Sequence, residues 1–158
     1  MRLMLALLML MATPAIAAGW GHYTNVRFGY AVDVPPGFAG QGESDNSDGQ
    51  VFKTPTATLT VFGGNILDGG FEDEVKQRQG YATQDGWNLS YQATTPSAAS
   101  YSGKHGAHIL YARMIALCGG TQFAMFEFEY FATNMKAFDP VVSRLVGSLK
   151  ATQGSASC

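Results

Sequence analysis

Two glutamates, Glu127 and Glu129, stand two positions apart in the apolar run "FAMFEFEYF". In an extended chain, a rise of about 3.3 Å per residue puts both on one strand face, roughly 7 Å apart. Paired carboxylates at such a separation can do general acid–base work on glycosides. They can equally mark the polar side of a strand whose Phe126, Phe128 and Tyr130 fill a core. Arg113, on the strand expected alongside, would sit opposite Glu127 if the loop joining the two strands had an odd number of residues. Tyr111 belongs to a set of aromatics, with Tyr23, Phe28, Tyr30, Trp87, Tyr91 and Tyr101, that could line a groove, although alternating aromatics more often form core. Glu127, Glu129, Arg113 and Tyr111 are therefore the candidate ligand- or partner-binding residues.

A second concentration of oxygen atoms lies in "ESDNSDGQVF", residues 43–52. An EF-hand loop aligned on Gly49 puts Asn46 and Asp48 in register, but Ser44 replaces the first Asp and Pro55 the bidentate Glu. That reading fails. A looser divalent-cation site from Glu43, Asp45 and Asp48 is the surviving metal hypothesis, since hard cations accept any well-placed oxygens. The plainer expectation is a turn over residues 46–49, with Gly49 supplying positive φ ahead of the strand "QVF".

Other chemistry is thinner. His105 and His108 in "KHGAH" could begin a zinc site, but zinc needs three or four ligands, and His22 and both cysteines are distant in sequence. At odd spacing, a strand would also point the two histidines to opposite faces. No G-x-S-x-G occurs, and in "YSGK" Ser102 lies two residues before Lys104 rather than three, so S-x-x-K is not met. The Gly-rich "VFGGN" and "LCGGT" lack phosphate-loop spacing. No catalytic set and no cofactor is expected.

The elements that must carry these residues begin after an export signal. Residues 1–18, "MRLMLALLMLMATPAIAA", combine Arg2, a short apolar run and the small-x-small tripeptide Ala15-Ile16-Ala17, with cleavage expected after Ala17 or Ala18. A soluble periplasmic protein follows, with no membrane insertion once the signal is removed. Loss of Arg2 leaves nine basic against twelve acidic residues, a net charge of −3, which argues against a nucleic-acid or anionic-membrane partner. The expected organisation is one domain over residues 19–150 and a loose tail over 151–158, as a monomer that binds an unknown protein or small ligand. The two cysteines, Cys118 at a hairpin tip and Cys158 in the tail, could bond in an oxidising compartment. Two free thiols or an intermolecular bond are the alternatives.

Strand signals dominate the rest. "RFGYAVDVP" alternates Phe28, Tyr30, Val32 and Val34 and stops at Pro35-Pro36; "GQVFKT" and "ATLTVFGG" read as a hairpin around "PT". "FEDEVKQRQGYATQDG" reads as an exposed helix and "WNLSYQATT" as a strand. "SYSGKHGAHILYARMIALCGGTQFAMFEFEYFA" reads as two long strands joined at Gly119-Gly120. A last helix is expected from Asp139, as N-cap, with Pro140 in its first turn and a stripe of Phe138, Val141, Val142, Leu145, Val146 and Leu149 against the sheet. The expected order is β-β-β-β-α-β-β-β-α, with a short extra strand at "HYTN", an α+β fold on a mostly antiparallel sheet.

The ordered series "NVRFGYAVDVPPGF", "ESDNSDGQVF", "ATLTVFGG", "YSGKHGAHILYARMI" and "FDPVVSRLVGSL" resembles the PsbP-like fold. That fold is shared by extrinsic photosystem II proteins, a Ran-binding nuclear-import factor and small exported bacterial proteins. The resemblance spans roughly Trp20 to Lys150 and rests on element order and spacing. It implies an antiparallel sheet sandwiched by helices and a binding or assembly module, and it carries over no catalytic residue. A non-catalytic module is thus the leading expectation. A hydrolase using Glu127 and Glu129, and a cation binder at residues 43–49, are the alternatives.

Overall fold

The computed structural model describes residues 19–152 and Cys158, so the expected export signal lies outside the described residues. Five strands come first: β1 (Gly21–Asn25), β2 (Tyr30–Val34), β3 (Ala39–Glu43), β4 (Gly49–Lys53) and β5 (Ala57–Asn65). Helix α1 (Phe71–Gln84) precedes β6 (Asn88–Thr94), β7 (Ala98–His105), β8 (His108–Leu117) and β9 (Gln122–Phe131). Helix α2 (Met135–Ser148) and the short β10 (Lys150–Ala151) close the chain.

Seven strands form one sheet in the order β3-β4-β5-β9-β8-β7-β6, and β1, β2 and β10 form a second, small sheet. Every described pairing is antiparallel. Period-2 alternation explains the layering. Ala57, Leu59 and Val61 of β5 and Ala124, Phe126, Phe128 and Tyr130 of β9 face one side, where the small sheet and α2 cover them. On the other side Tyr101, Ala112, Met114, Phe123 and Met125 pack beneath Phe71, Val75 and Ala82 of α1. The fold is α+β, with a helix on either side of a large antiparallel sheet. No described helix is long and apolar enough to cross a membrane.

The fold departs from the sequence reading at three places. The stretch read as one long strand through "KHGAH" folds back on itself: His105 pairs with His108, and Gly106 takes φ +58° at the tip. The pair Gly106-Ala107 is a weak hairpin signal beside Asn-Gly, so the turn was not legible. Helix α2 starts at Met135 rather than Asp139, which leaves Pro140 inside it. A helix-interior proline sacrifices a backbone bond and costs about 3 kcal/mol or more. The longer helix offsets this by carrying Phe138 onto the rings of Phe128 and Tyr130, at 5.2 and 5.1 Å. At the C-terminus Lys150 and Ala151 form β10, and of the alternatives weighed for the two cysteines the Cys118–Cys158 bond is the one present, with Cα atoms 5.2 Å apart. Finally, Gly49 has no positive φ; Ser47 takes the left-handed conformation, at φ 54°. Gly49 is needed for close approach instead: a Cβ there would stand 1.9 Å from the carbonyl oxygen of Val61.

Candidate functional site

The hairpin between β8 and β9 decides which side chains meet. Leu117 pairs with Gln122, so four residues, 118–121, make the loop, an even number. Arg113 therefore pairs with Phe126, and Glu127 pairs with Ala112. The expected Arg113–Glu127 pairing is corrected: the two lie on opposite faces of the sheet. Arg113 donates to Ser100 Oγ at 3.1 Å instead. Tyr111 shares the face of Arg113, stacking on Phe126 at 6.4 Å and lining a shallow groove with Val142 and Val146 of α2. The four candidate binding residues thus divide into two pairs, with only Glu127 and Glu129 on the α1 face.

On that face Glu127 and Glu129 line one open cleft of about 260 Å³ between α1 and the sheet. Its floor adds Thr58, Thr60 and Phe62 from β5 and Leu110 from β8; its wall adds Arg78, Tyr81, Ala82, Asp85 and Trp87. The register aligns the floor in rows. Thr60, Glu127, Ala112 and Tyr101 are successive cross-strand partners through β5, β9, β8 and β7. Thr58, Glu129 and Leu110 form the next row. Only the small Ala112 stands between Tyr101 and Glu127 in this row, and the two lie within electrostatic reach of each other. Tyr101 is 0% exposed, and its hydroxyl has no hydrogen-bond partner. A buried hydroxyl left this way costs about 1–3 kcal/mol.

Charge is unevenly distributed in the cleft. Burial pushes the Glu127 carboxyl above the usual carboxylate range; Arg78 opposes that shift, while Asp85 and Glu129 reinforce it. Burial likewise pushes the Tyr101 hydroxyl up, with Glu127 adding to the shift and Arg78 opposing it. Both side chains thus lie within electrostatic reach of each other and of Arg78. The cation of Arg78 is already engaged: its Nε donates to Glu74 Oε1 at 2.8 Å, one helical turn back. Its guanidinium also lies over the rings of Phe123 and Phe62, at 4.9 and 5.5 Å. With Arg78 matched by Glu74, the carboxyls of Asp85, Glu127 and Glu129 set the sign of the cleft.

The histidines also come out differently from the sequence reading. As cross-strand partners in the 105–108 hairpin they share a face, and that face is the one under α1. His108 Nδ1 lies 2.6 Å from Glu129 Oε1, its ring edge-on to Phe131 at 4.5 Å. His105 packs edge-on to Trp87 at 5.6 Å. Among the described residues no three His, Cys, Asp or Glu side chains converge as a metal site.

The 43–49 loop is corrected on the same ground, because its carboxylates turn to different donors. Glu43 Oε1 accepts from Tyr23 Oη at 2.7 Å and Asn25 Nδ2 at 3.0 Å. Asp48 accepts from Ser44 Oγ at 2.6 Å and Asn46 Nδ2 at 2.8 Å. Glu43, Asp45 and Asp48 hold no common cage. The loop acts as a clasp, in which buried Asn25 also donates to Ser47 O at 3.0 Å and so ties β1 to the turn. Desolvation of Tyr23, reinforced by Glu43 and opposed by Asn25, pushes its hydroxyl up to about 12.

Sequence reasoning missed Arg78, Asp85, Thr58, Thr60 and the role of Tyr101. The alternating threonines of "ATLTV" were one available signal, since residues at i and i+2 share a face. The nearness of Tyr101 and Glu127 had none, because it depends on the register of two hairpins.

An antiparallel sheet with α1 on one face, and α2 beside a small second sheet on the other, defines a PsbP-like fold. The solution structure of cyanobacterial PsbP (CyanoP) from Synechocystis is similar at a TM-score of 0.63 and 13% identity, covering 91% of this chain and 98% of that one. The Ran-binding protein Mog1p of Saccharomyces cerevisiae is similar at a TM-score of 0.61 and 11% identity, covering 88% and 98%. A mutant form of protein Mog1 gives 0.62 and 10%, covering 89% and 100%. At these identities the likeness establishes the fold. No protein-family model matches the chain, and no curated protein matches it by sequence.

Proposed function

We propose that this chain is an exported, non-catalytic binding module whose ligand or partner engages the cleft between α1 and the β5-β9-β8 face. One observation carries the reading: the cleft is lined by a partly desolvated Glu127, and beneath its floor, within electrostatic reach of that carboxyl, lies a fully buried Tyr101 hydroxyl with no hydrogen-bond partner. Unsatisfied polar groups at the floor of a cleft are what an incoming polar ligand completes. The fold relatives support the binding class by analogy, since one of them is a Ran-binding protein. Export is supported by the leader composition of residues 1–18 and by the Cys118–Cys158 bond, which suits an oxidising compartment. N-terminal sequencing of the periplasmic form is expected to start at Ala18 or Gly19.

A second reading has a specific observation in its favour. Glu127 is pushed up and Glu129 is bonded to His108 in the same cleft, an environment split of the kind that assigns acid and base roles in glycosidases. The two readings separate in one experiment. The chain and its Glu127→Gln variant are screened against a panel of chromogenic glycosides and esters, with fragment mixtures followed by amide NMR in parallel. Saturable shifts at Thr58, Thr60 and Trp87 without turnover are expected. Turnover abolished by Glu127→Gln would replace the binding reading with the hydrolase.

A further inference from the structure

Resting on the reading of the cleft as a binding site, we infer that it takes an alkylammonium group, the head and stem of a free diamine or of a partner's lysine side chain. Size comes first: about 260 Å³ is below the roughly 300–1,000 Å³ of pockets for drug-sized molecules, and suits one extended aliphatic stem. Charge comes second. Asp85, Glu127 and Glu129 line the cleft, and the one cationic side chain among the described residues that line it, Arg78, is committed to Glu74 at 2.8 Å and covered by Phe123 and Phe62. With Glu129 held by His108 and Arg78 by Glu74, an anionic ligand would face Asp85 and Glu127 with no uncommitted cation among the lining residues.

Donor count comes third. An ammonium offers three donors and no acceptor. Along one row of the floor the sheet presents the Thr60 hydroxyl and the Glu127 carboxyl, and the same row continues beneath the floor to the orphaned Tyr101 hydroxyl. Tyr101 is an observation independent of the acidic residues: a fully buried oxygen without a partner, within electrostatic reach of Glu127 and Arg78. The walls complete the recognition. Trp87 brings an aromatic face to the same cleft, and such a face holds both an aliphatic stem and the positive end of an amine, whereas the Tyr81 ring already meets the Arg78 guanidinium at 5.8 Å.

The test uses the oxidised, isotope-labelled chain and four probes: cadaverine, Nα-acetyl-lysine methylamide, neutral 1,5-pentanediol and anionic glutarate. Each is titrated while the amides of Thr58, Thr60 and Leu110 and the Trp87 indole N–H are followed. Both amines are expected to shift these signals saturably, and the diol and the diacid to leave them unmoved. The tighter of the two amines assigns the source as free diamine or lysine side chain. Glu127→Gln is expected to weaken amine binding about tenfold or more. Thr60→Val, which removes an acceptor without touching charge, should weaken it less, and unchanged amide dispersion shows that both variants are folded. If the diol or the diacid saturates the cleft while the amines do not, the cation assignment falls and the binding reading stands. If no probe or fragment shifts these signals, both fall.

Discussion

Replacing Cys158 with serine removes the Cys118–Cys158 bond, which links residues 40 apart in sequence. The bond stabilises chiefly by restricting the unfolded chain, and loop-closure entropy for a ring of that size amounts to about 4 kcal/mol at 25 °C. A chain of this length shifts its melting temperature by roughly 3 °C per kcal/mol, so the variant should melt about 12 °C lower. Thermal unfolding followed by circular dichroism measures this for the oxidised chain, Cys158→Ser and the Cys118→Ser/Cys158→Ser double variant, each with and without dithiothreitol. Reductant should lower the oxidised chain to the level of the variants and leave the variants unchanged. Melting of Cys158→Ser within about 2 °C of the oxidised chain would refute the loop-closure reasoning, because the cross-link would then restrict nothing that unfolding releases.

Three further outcomes follow from the geometry. Gly49→Ala puts a Cβ 1.9 Å from Val61 O and 2.7 Å from Phe62 Cα; a lower urea midpoint, by about 1–3 kcal/mol of stability, is expected. Tyr101→Phe deletes a buried hydroxyl that has no partner and should raise stability by about 1 kcal/mol, the reverse of the usual tyrosine truncation, as read from the same urea titrations. Glu127→Gln tests the raised carboxyl. A group whose folded pKa exceeds its unfolded value costs stability once pH climbs from the ordinary carboxylate range through the folded value. The variant should therefore melt higher than the parent at pH 7, with the gap closing towards pH 4.

Strand and core periodicity were readable from residues because each depends on neighbours along the chain. The alternation of Phe126, Phe128 and Tyr130 named one face of β9, and the stripe through Leu145 and Leu149 named the face of α2 that meets the sheet. What was unreadable depends on loop parity. One residue more or fewer in the 118–121 loop would have exchanged Ala112 for Arg113 opposite Glu127 and given the carboxyl a salt bridge in place of a desolvated setting. The 105–108 turn hid in the same way, since its only marker is one glycine. With it was hidden the placement of His108 beside Glu129. The start of α2 was misjudged because a local rule, proline near a helix N-terminus, lost to the burial of Phe138.

The first and last described elements are bound to each other. Arg144 Nε donates to Asp33 Oδ2 at 2.8 Å and lies over the Trp20 ring at 4.2 Å; Asp33 N donates to Ser148 Oγ at 3.0 Å; Thr152 N donates to Gly29 O at 2.8 Å. The first strands therefore depend on the last elements. Tyr30 and Val32 share one apolar cluster with Leu145 and Leu149, and β10 pairs with β2, so the β1–β2 hairpin is fully covered only when α2 and β10 are in place. Pairings of such long sequence separation place folding in the slow, millisecond-to-second regime of β-rich domains. Loss of α2 or β10 would therefore unseat the first two strands as well as the last elements.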